Sequence, residues 1–314
     1  MSNPKVSIIC NTYNHEKYIK QALDSFLMQI TSFEYEILIH DDASIDNTQT
    51  ILKEYERKYP NKFNIIYQNE NQYSKGVSIN NINVSRSRGE YIAFCEGDDY
   101  WINPYKLQKQ VDYLDQNPNC NLVVHSSVKK NPNNPFIQKK WIFTHSNRIL
   151  TTEEIISKRG IIAAHNSFVY RNIEYSFPEF FGFLGVWDIT RIIYFATHGY
   201  VYFINELMSV YHVGISGSWN ERVRLDDTKL IEHYMKEIEF YRNLNEYTKN
   251  IYFTDIHRVI LELDYQINIL KREYTSVNSN KYFEINQKFL QIQIQKYFPN
   301  VFRLLRFYRY KYWI

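Results

Sequence analysis

Only three cysteines occur in the 314 residues, Cys10, Cys95 and Cys120, and each sits inside a short apolar run. With no CxxC spacing they read as reduced core residues of a cytoplasmic protein, not as a disulfide framework. No apolar run approaches the roughly 20 residues that a bilayer span needs. The first ten residues hold a single lysine before a strand-like run begins, which does not resemble a secretory signal. Formal net charge is only +3, so no global field argues for a nucleic-acid partner. No strand-like run is followed by G-x-G-x-x-G or G-x-x-x-x-G-K-[ST], which removes the dinucleotide fingerprint and the P-loop. These absences predict a cytoplasmic chain with at most peripheral membrane contact.

What the chain has in excess is aromatic side chain, 28 Tyr and 20 Phe. Such rings stack on sugar and base faces but fill cores as readily, so the count alone assigns no ligand. Order along the chain says more. Residues 6–10 form an apolar run bounded by polar residues, as a buried parallel strand does. Asn14 stands where it can cap a helix whose Ile19, Leu23, Phe26 and Leu27 share one face. A second strand is expected at 36–39. Asp46 then caps a helix carrying Ile51, Leu52 and Tyr55, with Gln49 in the reciprocal position of a capping box. Strands at 63–67 and 91–95 follow, and Asn103-Pro104 opens a helix with Leu107, Val111 and Leu114 at helical spacing. This alternation predicts an α/β domain, doubly wound around a mostly parallel sheet.

From 121 to 219 the pattern is mixed. Strands are expected at 122–126, 141–144, 161–170 and 200–212, helices at 152–158 and 189–197, and an Asn/Pro-rich loop at 131–135. The last third is helical, with one stripe of Ile231, Tyr234, Ile238 and Tyr241 and another of Ile256, Ile260, Leu263, Ile267 and Leu270. The expected organisation is a first half at 1–120, a second half of the same domain at 121–220, and a helical region at 221–314.

In an open α/β sheet, ligands bind beyond the carboxyl ends of the strands. After the first strand comes Asn11-Thr12-Tyr13-Asn14, after the second His40-Asp41-Asp42-Ala43-Ser44-Ile45-Asp46, and after the fourth Glu96-Gly97-Asp98-Asp99-Tyr100-Trp101. Asp41, Asp42, Glu96, Asp98 and Asp99 thus converge on one edge. Like charges so gathered repel unless a cation joins them. A hard divalent ion suits carboxylate oxygens and shares its shell with phosphate. Glu96 and Asp98, two apart, point the same way in extended backbone, so one can reach a metal while the other meets a ribose.

Three stretches, Val6-Ser7-Ile8-Ile9-Cys10-Asn11-Thr12-Tyr13-Asn14, the turn from Asp41 to Asp46, and Gly89-Glu90-Tyr91-Ile92-Ala93-Phe94-Cys95-Glu96-Gly97-Asp98-Asp99-Tyr100-Trp101, resemble the family 2 glycosyltransferases in order and spacing. The resemblance covers about residues 4–117 strongly and 161–219 more weakly. The Glu-Gly-Asp-Asp-Tyr-Trp variant is similar to a bacterial branch that builds surface polysaccharides. The resemblance implies a GT-A fold and transfer of a sugar from a nucleotide diphosphate sugar, a UDP-sugar first, to a glycan or lipid-linked glycan, with inversion and with Mn²⁺ or Mg²⁺. It further implies that Thr12, Tyr13 and Asn14 line the nucleotide pocket and that Asp42 accepts a hydrogen bond from the base. Glu96 then stands near the ribose, Asp98 on the metal, and Asp99 and His212 toward the donor sugar or diphosphate. Lys75, with Asn69 and Asn71, falls in a loop over the nucleotide, His165 in the acceptor cleft, and Asp188 at the general base.

Two departures mark the second half. Val186 stands where a carboxylate is common in that branch, with Asp188 two residues later, and Tyr211-His212-Val213-Gly214 replaces a Tyr-Arg-x-His segment. They favour the rival of a non-catalytic nucleotide- or glycan-binding protein on the same fold. A nucleotidyltransferase would carry a Gly-rich basic loop after the first strand, and 11–16 has no glycine. Simpler roles compete at each site: Asp42 and Asp46 as turn or cap residues, Asp188 as a helix cap. The tail at 296–314 carries Lys296, Arg303, Arg306, Arg309 and Lys311 among aromatics and no acid. That pattern suits either an anionic membrane surface or a terminal helix with a solvated basic side.

Overall fold

The computed structural model describes residues 3–173, 175–182, 184, 187–215 and 223–273. The chain opens with β1 (Val6–Thr12), α1 (Ile19–Leu27), β2 (Tyr35–Asp41), α2 (Thr48–Lys58), β3 (Phe63–Tyr67), α3 (Ile79–Ser85) and β4 (Tyr91–Phe94). It continues through β5 (Tyr100–Trp101), α4 (Lys106–Gln116), β6 (Cys120–Asn131), β7 (Asn134–Trp141), β8 (Arg148–Leu150), α5 (Thr152–Ser157) and β9 (Val169–Arg171). Then come α6 (Trp187–Thr197), β10 (Tyr200–His212), α7 (Asp227–Tyr247) and α8 (Phe253–Leu270).

All strands join one sheet in the order β3-β2-β1-β4-β9-β6-β10-β5, with β7 on β6 and β8 on β10. The first four strands are mutually parallel. The two halves are stitched by β9, antiparallel to both β4 and β6, after which β6 and β10 again run parallel. Every residue of β1 is buried, which is why this strand reads as a continuous apolar run and not as an alternating one. Val6, Ile8 and Cys10 face a core shared with α1, α2 and α4, whereas Ile9 faces a second core with Ile92, Phe94, α5 and α6. All three cysteines are buried and unpaired, as expected.

The helical region completes the second core. Ile238, Phe240, Tyr241 and Leu244 of α7 and Ile256, Val259, Leu263 and Ile267 of α8 are buried there, while Ile231, Tyr234 and Ile260 pack on it partly exposed. Asp226 caps α7 by accepting from the amides of Thr228 at 3.0 Å and Lys229 at 3.1 Å.

The middle of the chain departs from expectation. The 131–135 stretch is a tight hairpin turn, in which the Asn131 side chain accepts from the Asn133 amide at 2.9 Å. The strand expected at 141–144 lies at Asn134–Trp141 instead, and Pro135 is tolerated because β7 pairs only with β6. The single strand expected at 161–170 is broken: His165–Ser167 is a 3-10 turn, held by the Ser167 hydroxyl donating to the Ala164 carbonyl at 2.6 Å, and only Val169–Arg171 is extended. The tail at 296–314 and Val186 lie outside the described residues.

Candidate active site

Parallel pairing of β1 with β4 continues beyond β4, through Cys95 N to Ile9 O at 3.0 Å and Gly97 N to Asn11 O at 2.9 Å. Glu96-Gly97-Asp98 is thereby laid beside Asn11-Thr12. The approach is too close for any side chain at Gly97, since a Cβ there would stand 2.7 Å from Thr12 Oγ1 and 3.0 Å from His15 Nδ1.

The acids then part company. Glu96 accepts from the Asn11 amide at 3.3 Å and faces His165 Nδ1 at 3.4 Å. Asp99 turns inward and is buried; its carboxylate accepts from the His212 amide at 2.8 Å and the Asn166 side chain at 2.9 Å. Burial, and then the charge of Asp98, push its carboxyl well above the usual range. Asp41 accepts from Ser44 N at 3.2 Å and Gln49 Nε2 at 2.7 Å, so Gln49 does not close a capping box. Asp42 accepts from the amides of Gln72 at 2.7 Å and Tyr73 at 3.0 Å, which pins the 70–76 loop over the strand ends. The five carboxylates therefore do not converge on one point, because the fold pairs all but one with hydrogen-bond donors. Asp98 is the exception: its carboxylate is a quarter exposed, with His15 Nε2 4.0 Å away.

Around Asp98 the site is aromatic. His212 Nδ1 donates to the Asp98 carbonyl at 2.5 Å, which assigns the proton to Nδ1 and leaves the Nε2 lone pair available. Burial lowers the ring's pKa and so favours the neutral form. Tyr18 and Tyr100 pack on it with centroids at 5.4 and 5.7 Å. Asp188 lies in the first turn of α6, partly exposed. Burial and then the charges of Asp99, Asp188 and Asp98 push the Tyr211 phenol upward.

The remaining predicted residues are spread along the same edge. Thr12 is buried and Tyr13 is largely exposed. Asn14 does not cap α1; it adopts φ 56° and its side chain accepts from the Ile45 amide at 2.9 Å, tying the first loop to the second. Asp46 plays a local role, accepting from Thr48 N at 2.9 Å and Glu16 N at 3.0 Å. Lys75 is ion-paired with Glu70 on the loop's outer side. His165 sits on the 3-10 turn, not in a strand, stacked on Phe94 at 4.5 Å. A cleft of about 440 Å³ opens across the ends of β2 and β3, lined by Ser44, Gln49, Lys53, Tyr67, Gln68 and Asn69 among others.

His15, Tyr18, Asn166 and Tyr211 belong to the site and were not assigned to it from sequence. Position after a strand was a usable signal for His15 alone, because the others arrive through long-range packing. Among the described residues no three His, Cys, Asp or Glu side chains stand close enough to hold a metal ion by themselves. The partly exposed carboxylate of Asp98 beside a binding edge still fits Mg²⁺ or Mn²⁺, which commonly take one or two protein carboxylates and fill their shell from substrate phosphates.

A model of the family described as glycosyl transferase family 2 matches residues 7–175, more than half of the chain. The uncharacterized protein Rv1520 of Mycobacterium tuberculosis is 48% identical over 121 residues, 38% of this chain and 34% of that protein. The chain thus spans about a third of the length of such curated relatives. TarS of Staphylococcus aureus, a poly(ribitol-phosphate) beta-N-acetylglucosaminyltransferase, is 34% identical over 114 residues, 36% of this chain and 19% of TarS. Its 1–349 fragment solved with UDP-GlcNAc superimposes with a TM-score of 0.57 at 17% identity, over 97% of this chain and 86% of that one. The mannosyltransferase PcManGT of Pyrobaculum calidifontis, solved with GDP-Man and Mn²⁺, gives 0.51 at 16% identity, over 100% of this chain and 88% of that one. At these identities the structural likeness is one of fold.

Proposed function

Since the chain belongs to glycosyl transferase family 2, we propose that it is a metal-dependent, inverting glycosyltransferase that moves a sugar from a UDP-sugar to a hydroxyl of a bacterial surface glycan or its precursor. The observation that carries this reading is geometric: Glu96-Gly97-Asp98 is laid beside Asn11-Thr12 at the carboxyl edge of the sheet, with the Asp98 carboxylate partly exposed there. Solved structures of the same fold that hold UDP-GlcNAc, or GDP-Man with Mn²⁺, favour a nucleotide diphosphate sugar as donor.

In this reading Thr12, Tyr13 and Asn14 border the nucleoside, Glu96 approaches the ribose, and Lys75 lies on the loop over the nucleotide. Asp42 acts by holding that loop through the Gln72 and Tyr73 amides. Asp98 would hold the Mn²⁺ or Mg²⁺, which supplies charge neutralisation to the departing diphosphate. His212, neutral and fixed by Asp98 and Asp99, faces the diphosphate, and His165 borders the acceptor. Asp188 takes the acceptor's proton as its oxygen attacks the anomeric carbon, while the bond to the diphosphate oxygen breaks on the opposite face. One displacement inverts the configuration. Residues 1–120 would serve the donor, 121–220 the acceptor, and 221–314 would buttress both, with the basic tail touching an anionic inner membrane face.

Incubation with UDP-, GDP- and TDP-sugars, scored for release of the nucleoside diphosphate, tests the reading. One donor should turn over with Mn²⁺ and stop in EDTA. Binding of a nucleotide sugar with no turnover toward water or any glycan would instead indicate a binding protein.

A further inference from the structure

No Asp or Glu occurs anywhere from 116 to 152, yet this segment carries Lys129, Lys130, Lys139, Lys140 and Arg148. Four of these lysines lie on the β6–β7 hairpin, where register sets Lys129 directly opposite Lys139. Like charges facing each other across an antiparallel pair destabilise it. Five lysines elsewhere, Lys5, Lys62, Lys75, Lys109 and Lys229, each have a carboxylate partner. Among the described residues none of the four hairpin lysines has one, nor does Arg224, whose charge acts on Lys129.

Placement makes this uncompensated charge informative. On its other side β6 pairs with β10, which puts Lys129 beside Tyr211 and Lys130 beside His212. The β6 strand of the hairpin therefore borders the site edge at Tyr211 and His212, with β7 on its other flank, the side that β9 takes lower down. Lys129 lies with Nζ 3.8 Å above the Trp141 ring, and Trp141 meets Tyr211 edge-on at 6.0 Å. Burial, Arg224 and Lys139 bring the Lys129 ammonium down to about 8. One face thus presents Lys129, Lys139, Trp141 and Tyr211: fixed cations alternating with rings able to stack on sugars.

We propose that this face of the β6–β7 hairpin is an acceptor subsite for a polyanionic glycan, one with phosphate or carboxylate groups along its backbone. The inference rests on the glycosyltransferase reading, for it takes the site edge at Tyr211 and His212 as the place where an acceptor lies. A bound polyanion supplies the charge that the hairpin lacks, and Trp141 and Tyr211 hold the sugar between successive charges. A membrane surface is the weaker fit, because Lys129 is packed over Trp141 beside Tyr211 and is not displayed on an open face.

Binding to the 314-residue chain is measured for linear polyphosphate, hyaluronan oligosaccharides, neutral dextran and phosphatidylglycerol vesicles, with UDP plus Mn²⁺ titrated in parallel. A polyanion should bind and dextran should not, and raising salt from about 50 to 200 mM should weaken the binding roughly tenfold. Lys139→Gln, at an exposed position, should weaken it about threefold, and Lys129→Gln with Lys139→Gln at least about tenfold, with UDP binding unchanged. Polyphosphate against hyaluronan tells phosphate from carboxylate recognition. Equal binding of dextran, vesicles bound in preference to both polymers, or a double variant that binds polyanions like the parent would overturn the subsite. Loss of UDP binding with polyanion binding intact would strike at the donor reading alone.

Discussion

Asp98 and Asp99 are adjacent and chemically identical, and the fold gives them opposite surroundings. Asp99 is buried between the His212 amide and the Asn166 side chain; Asp98 keeps its oxygens toward solvent. Their motif was legible in the sequence, but the inward or outward choice was not, because Asn166 and His212 reach Asp99 only through tertiary packing. Asp188 is the residue on which catalysis can be separated from structure. Asp188→Asn keeps the side chain's size and hydrogen bonding but not its basicity, so transfer should fall roughly a hundredfold or more with donor binding retained. Normal transfer by this variant, measured as initial rate at saturating donor, would reduce Asp188 to a structural role. Lys106 offers a stability test at the same scale. It is fully buried, with its ammonium 4.1 Å above the Trp101 ring and no hydrogen bond, and burial brings it down to about 7. An unfolded lysine holds its proton to about 10.4, so between about 7 and 10 the unfolded chain binds more protons and the native protein gains stability as pH rises. Lys106→Met should therefore stabilise the protein, on the order of 1 kcal/mol or more near pH 6, with the advantage shrinking toward pH 10. Urea denaturation at the two pH values measures it, and a variant less stable at both would show that the ammonium's contact with Trp101 outweighs its desolvation.

Among the elements, the early strands and helices were readable because their apolar periods are regular and their burial is complete. The 161–170 stretch misled because apolar content does not distinguish a strand from a 3-10 turn; a buried Asn166 that bonds Asp99, Ser209 and Val210 bends the chain there. The loop expected at 131–135 is shorter than its composition suggests, because β7 already begins at Asn134 and Pro135 masks that strand. The junction of β1 with the motif after β4 makes a sharper claim. Gly97→Ala would press a methyl to within 2.7 and 2.8 Å of Thr12 Oγ1 and Cβ. It should cost about 1–3 kcal/mol and displace Asp98. Gly182→Ala, where nothing lies within 4 Å, should leave stability nearly unchanged. Thermal melts of the pair decide it, and equal melting temperatures would refute the close approach.

At the scale of the whole molecule, a parallel half and a mixed half share one sheet, and the two terminal helices close the second core. Glu237, buried on α7 with 1% of its side chain exposed, is ion-paired with Arg159 after α5. The helical stripes announced that packing, but the pairing of Arg159 with Glu237, 78 residues apart, left no local trace. Among the described residues no helix is long and apolar enough to cross a membrane. The central claim is that Asp98, partly exposed and with no hydrogen-bond donor on its carboxylate among the described residues, joins a divalent ion to a nucleoside diphosphate. Calorimetric titration of UDP and GDP into the parent and into Asp98→Asn, with Mn²⁺ and with EDTA, tests it most directly. One nucleotide should bind the parent only with Mn²⁺, and Asp98→Asn should lose about tenfold or more in affinity at an unchanged melting temperature. Equal, metal-independent binding by both proteins would contradict it.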